Sequence, residues 1–224
     1  MKKHTVIIAT FTVAMLLGGI PGVVLAKASQ SPIQQINYLD YHNQGIQKLE
    51  QGNFKDAVEN FNQAIRLNPK YQDGFCLRGF AKFQLGEFKA AIADYNQALK
   101  LKPNYIDAYN GRGTVYAEVG ETKKAVADFN QVIKLDPKYA DAYYNLGLLN
   151  YRQGKHQNAV ANFSQAIKIN PNLADAYGNR GLARYAAGDK GGGMADLQTA
   201  AKLFNQQGYS QGYQQTLDLI KELQ

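Results

Sequence analysis

The sequence has no tryptophan, a single cysteine and three histidines in 224 residues. A lone Cys76 excludes an internal disulfide framework, so stability has to come from packing. His42 and His156 stand far apart, and no two His or Cys residues have metal-ligand spacing. Charge is sparse as well, with Asp, Glu, Lys and Arg making up 19% of the chain. The formal charge of +7 falls to +4 without Lys2, Lys3 and Lys27 of the leader. A balance that mild and interspersed argues against nucleic acid as a partner. Several lysines, among them Lys100, Lys134 and Lys168, sit at expected helix C-termini, where the dipole favours a cation. What the chain does have is 15 Tyr, 10 Phe and 45% hydrophobic residues, ample for an aromatic core.

The start reads as a targeting segment rather than as part of the fold. Lys2, Lys3 and His4 precede an uncharged apolar run over 5–17, and Gly18, Gly19, Pro21 and Gly22 then break any helix. Ala26-Lys27-Ala28 places small residues where a signal peptidase reads, with cleavage before Ser29; a cut after Ala26 is the second choice. Residues 1–28 are therefore expected to be a secretory signal peptide, followed by a linker over 29–37. The leader has neither a twin arginine nor a cysteine, so the general secretory route is expected, without a lipid anchor. The expected location is the periplasm or cell envelope. Residues 6–26 are uncharged and long enough to cross a bilayer, so an uncleaved anchor is the alternative.

The rest of the chain is periodic. Pro69, Pro103, Pro137 and Pro171 recur at one constant interval, and so do Gly45, Gly79, Gly113, Gly147 and Gly181. Gly52, Gly86, Gly120, Gly154 and Gly188 keep the same period. A repeat of about 34 residues indicates a solenoid of stacked supersecondary units. Within each repeat the apolar spacing is helical. In the second, Phe75, Gly79 and Phe83 share one face of a helix over about 73–85, which Gly86 ends. Ala91, Tyr95, Ala98 and Leu99 lie on the inner face of a second helix over about 88–101, which Pro103 stops. Small residues (Gly79, Ala91, Ala98) let the two backbones approach, and Phe75 and Tyr95 fill the remaining space.

This pattern resembles the tetratricopeptide repeat. It is fullest in Tyr143-x2-Leu146-Gly147, Ala159-x3-Phe163 and Pro171. The same columns recur as Ala57, Phe61, Ala64; Ala91, Tyr95, Ala98; and Ala125, Phe129, Val132. Five repeats are expected, over 38–71, 72–105, 106–139, 140–173 and 174–207, with a capping helix over 208–224 built on Tyr213, Leu217 and Ile220. The resemblance implies an all-α, right-handed superhelical solenoid of helix-turn-helix units. The fifth repeat departs from the pattern: residues 188–193, rich in glycine, read as a loose turn in a degenerate unit. They lack the Gly-Lys-Ser/Thr ending of a phosphate loop.

Three further patterns bear on function. Arg78, Arg112 and Arg180 precede the column glycine in repeats two, three and five, which also carry Asp94, Asp128 and Asp196 on the second helix. Repeats one and four have Gln44 and Leu146, matched by Asn60 and Asn162. The joint change implies an Arg–Asp pair across each helix pair, structural rather than catalytic. Asp73, Asp107, Asp141 and Asp175 recur at the start of first helices, where capping and the dipole account for them and an acidic ladder for a basic ligand is the rival. Cys76 and His42 occupy equivalent places in neighbouring repeats, with no third group to make a catalytic set.

In the resembled family, first helices line a concave face that binds peptides. Carried over, that face comprises His42, Cys76, Asn110, Tyr144 and Gly178; Ile46, Phe80, Thr114, Leu148 and Leu182; and Leu49, Phe83, Ala117, Tyr151 and Tyr185. It contains no Lys or Arg in these columns, which speaks against a clamp for a terminal carboxylate. The candidate contacts are Phe80, Phe83, Tyr144, Leu148, Tyr151, Leu182 and Tyr185, with Asn145 beside them. The expected function is a non-enzymatic scaffold or assembly adaptor, without cofactor or metal. Its partner would be a protein or peptide offering an apolar or amphipathic segment. No nucleic acid is expected, and membrane contact only through an uncleaved leader, in which case the chain would be a structural tether.

Overall fold

The computed structural model describes residues 37–224; the leader, its cleavage sites and nearly all of the linker lie outside the described residues. Among the described residues there are eleven helices and no strand. They are α1 (Tyr38–Glu50), α2 (Phe54–Leu67), α3 (Gln72–Gln84), α4 (Phe88–Leu101), α5 (Ile106–Glu118), α6 (Thr122–Leu135), α7 (Ala140–Arg152), α8 (His156–Ile169), α9 (Ala174–Ala186), α10 (Lys190–Gln206) and α11 (Ser210–Leu223). The fold is an all-α solenoid of tandem helix pairs. Contacts gather into two compact units, 37–128 and Phe129–Gln224, so α6 begins in the first and ends in the second.

One turn is repeated within the pairs. Gly86 takes φ +76°. Its N–H donates to Phe83 O at 2.9 Å, and the N–H of Glu87 donates to Lys82 O at 2.9 Å. These two bonds satisfy the last carbonyls of α3 in a Schellman turn, which needs a left-handed residue. At the other end of α4, Lys102 is extended ahead of Pro103, as the residue before a proline must be.

In the first unit Tyr95 is the packing wedge. It is buried, and its ring lies against two glycines: a Cβ on Gly79 would stand 3.3 Å from it, and one on Gly111 2.5 Å. Gly79 sits on α3 and Gly111 on α5, so one side chain fills the space within a pair and against the next. Phe61 plays the same part at Gly45, where an added Cβ would fall 2.6 Å from the ring.

In the second unit Phe163 seats against Gly147 at the same separation. The helix α11 closes the end of this unit. It buries Thr216 and Leu219, sets Ile220 and Leu223 against the cluster of Leu182 and Leu197, and accepts at Leu223 O a bond from the Tyr185 hydroxyl at 3.2 Å.

The fifth pair corrects the sequence reading. Residues 190–193 are not a loose turn: α10 begins at Lys190 and continues without a break to Gln206. Asp189 caps it, its Oδ1 accepting the Gly192 N–H at 2.9 Å. A Cβ on Gly193 would lie 2.7 Å from Gly181 O, and one on Gly181 2.8 Å from Gly193 O. Two backbones meet there, closer than at Gly79, where the corresponding distance to Ala91 O is 3.3 Å. The glycines are what this approach requires.

That geometry separates two neighbouring substitutions. Gly191 has nothing within 4 Å of an added Cβ, so Gly191→Ala should stabilise α10 by about 0.5–1 kcal/mol. Gly193→Ala should destabilise by roughly 1–3 kcal/mol through overpacking. Urea unfolding of the two variants should move the midpoint in opposite directions, and a gain from Gly193→Ala would refute the close contact.

Candidate protein-binding face

The first column of first-helix residues is largely buried in the first unit. His42 is enclosed, and its Nδ1 lies 2.5 Å from the Tyr71 hydroxyl. Burial lowers its pKa, against the opposing field of Asp73. Cys76 is 2% exposed, and burial foremost pushes its thiol far above the ordinary range. It is a packed thiol beside Tyr105, and not a thiolate. The two residues therefore answer to different tyrosines and do not form a nucleophile–base pair.

Burial also redraws the set of candidate contacts. Phe80 is 3% exposed, packed with Leu49, Phe61 and Leu77 and edge-on to Phe54. Leu182 is 4% exposed, covered by Leu197 and Leu219, and Asn145 is 5% exposed. These three belong to the core, because the neighbouring helices cover the side of the first helix on which they stand. Phe83 remains partly exposed, its ring tilted onto Phe88 at 6.0 Å. In the second unit Tyr144, Leu148, Tyr151 and Tyr185 are partly exposed. The Tyr144 hydroxyl accepts from Asn179 Nδ2 at 3.0 Å, and its ring leans on Phe163. Tyr151 stacks obliquely on His156 at 5.4 Å. Tyr185 is tied to α11 through its hydroxyl. Leu148 and Tyr151, neighbours on one side of α7, pack partly on the cluster of Ala159, Phe163 and Ala183 and are otherwise open.

The structure sets each arginine of the covarying columns on its aspartate. Arg78 donates from Nε and Nη2 to the two carboxylate oxygens of Asp94 at 2.9 and 2.6 Å. Arg112 does so to Asp128 at 2.8 and 2.7 Å, and Arg180 to Asp196 at 2.8 and 2.7 Å. Each aspartate is about 5% exposed, and the bond to Asp128 raises the Arg112 pKa further. The remaining arm of the fork reaches back to the preceding repeat: Arg78 Nη1 to Asn62 Oδ1 at 2.8 Å, Arg112 Nη1 to Asn96 Oδ1 at 2.6 Å, and Arg180 Nη1 to Ser164 Oγ at 3.1 Å. Each guanidinium thus ties three helices. Lys82 and Arg184 add a second cation to Asp94 and Asp196. Asn62, Asn96 and Ser164 escaped the sequence reading, although they share one column of the period, at a constant spacing ahead of their arginines.

Asp73, Asp107, Asp141 and Asp175 are not caps. The N-cap residues are Tyr71, Tyr105, Tyr139 and Leu173, none with a side-chain cap bond, and each aspartate is the second residue of its helix. Only the dipole part of the structural explanation stands. Burial pushes the Asp175 carboxyl up to about 6 and raises Asp141 as well.

Residues 47–86, 79–120 and 115–154 match the family profile described as TPR repeat, and residues 140–173 match that described as tetratricopeptide repeat. The chain belongs to the tetratricopeptide-repeat family. Among solved structures it is similar to MamA 41-end from Desulfovibrio magneticus RS-1, at 21% identity and TM-score 0.65, over 76% of this chain and 96% of that one. It is similar to TTC0263, a thermophilic TPR protein of Thermus thermophilus, at 17% identity and TM-score 0.69, over 80% and 98%. It is also similar to YrrB, described as a TPR protein with an unusual peptide-binding site, at 18% identity and TM-score 0.56, over 75% and 86%. At these identities the likeness is one of fold. No curated protein matches the sequence. Tetratricopeptide-repeat proteins are generally non-enzymatic scaffolds for protein–protein interaction, and the repeats of this chain support an interaction-scaffold role.

Within this tetratricopeptide-repeat chain the arginine staple is open to a direct test. Asp128→Ala should cost roughly 1–3 kcal/mol, because it strands a partly buried guanidinium partner. In the Arg112→Leu background the same change should cost much less. A double-mutant cycle by chemical unfolding measures the difference, and equal costs in both backgrounds would show that the bidentate pair carries no coupling energy.

Proposed function

We propose that the protein is an exported, non-enzymatic adaptor of the cell envelope that scaffolds other proteins by seating a partner segment on the first-helix face of its second unit. Leu148 and Tyr151 carry this reading. They are large, apolar, partly exposed side chains on one side of α7, on the helix type that lines the binding face in the family. The partly exposed Tyr144, with its ring held on Phe163, extends the surface. The leader at 1–28 supports the envelope location, and the peptide-binding site described for YrrB supports a segment as ligand.

Binding energy on such a face concentrates in its few large side chains. Leu148→Asp and Tyr151→Ala should each abolish or strongly weaken capture of the native partner from envelope extracts, with the helical circular dichroism unchanged. Gln165→Glu, on the second helix α8, should leave capture intact. Capture that survives both first-helix substitutions in folded protein would refute the assignment.

A further inference from the structure

We infer that the segment bound by this face is basic as well as apolar: an amphipathic stretch whose aliphatic side chains meet Leu148 and Tyr151 and whose Lys or Arg meets Asp141 and Asp175. The inference deepens the proposed function and rests on it.

The two carboxylates occupy the same place in the first turns of α7 and α9, and both are partly exposed, so a docked side chain can reach them. Neither works as a cap, and among the described residues neither has an ion-pair partner. In the first unit the hydroxyl of Tyr105, the residue just ahead of α5, interacts with the equivalent Asp73. Leu173 and Gln207 hold that position for Asp141 and Asp175. Leu173 is buried and apolar, and the Gln207 amide is turned to Asn172 O at 2.8 Å. That tyrosine is thus missing beside Asp141 and Asp175, in the unit where Leu148 and Tyr151 are partly exposed.

Besides burial, the Tyr144 hydroxyl is influenced by both Asp175 and Asp141. The cation it also senses, Arg152, sits in the last turn of α7, at the opposite end from Asp141. An acidic spot beside groove columns without Lys or Arg, on a chain whose formal charge is +4 without its leader lysines, is complementary to a cation from outside. A partly desolvated carboxylate gains most from a charge-assisted bond, and such pairing sets partner choice and register more than raw affinity.

Fluorescence anisotropy with the full-length chain tests this through three labelled synthetic peptides: an amphipathic Leu/Lys sequence, the same sequence with Glu for Lys, and one with Ser for Leu. The Leu/Lys peptide should bind, and the other two about tenfold more weakly or worse. Asp141→Asn with Asp175→Asn should cost the Leu/Lys peptide about tenfold and remove its advantage over the Leu/Glu peptide. Equal binding of the Leu/Lys and Leu/Glu peptides to the unaltered protein, abolished in both cases by Leu148→Asp, would overturn the charge inference and leave the docking face standing. Leu/Lys binding indifferent to Leu148→Asp, or no binding of any peptide, would overturn the face and the inference with it.

Discussion

The contact on which the structure depends is an aromatic ring laid against a glycine of the facing helix. Tyr95 on Gly79 and Gly111, Phe61 on Gly45, and Phe163 on Gly147 are versions of it. Helices as short as these cannot bury an apolar stripe alone and are marginal in isolation. With a glycine opposite, the ring fills the interface and the backbones come close enough to exclude water. The sequence period spaces these contacts, and the left-handed glycine between the two helices lets the second fold back onto the first. Where the ring contact gives way, in the fifth pair, Gly181 and Gly193 bring two backbones together directly.

The arginine staples work on top of this packing. A buried carboxylate such as Asp128 would be costly if unpaired. Arg112 satisfies both of its oxygens and extends its remaining arm to Asn96 of the preceding repeat. The pairing is therefore also a link between repeats, which favours stacking in register over independent pairs.

Much of this was legible because a repeat protein compares itself with itself. The period, the helix pairs, the turn glycines and the joint change of Arg and Asp follow from columns of one sequence, and α4 runs over Phe88–Leu101 as its apolar spacing requires. The glycine run at 190–193 misled because low helix propensity is a local cost, whereas the approach to Gly181 is a tertiary gain that no local pattern displays. The candidate face was less legible for a related reason. Spacing assigns Phe80, Leu182 and Asn145 to the side of the first helix that bears Leu148, but only the packing of neighbouring helices decides how much of that side is covered. The aspartates show the same limit: position suggested capping, while backbone geometry gives the caps to Tyr71, Tyr105, Tyr139 and Leu173.

In the proposed function, one set of contacts builds the helix pairs and leaves the α7 side chains Leu148 and Tyr151 open to a partner. Site-specific photo-crosslinking in producing cells addresses it most directly, with a photoreactive amino acid at position 148 on α7 or at position 165 on α8. A discrete adduct with another protein is expected at 148 and none at 165. Adducts of equal yield at both positions, or at 165 alone, would contradict it.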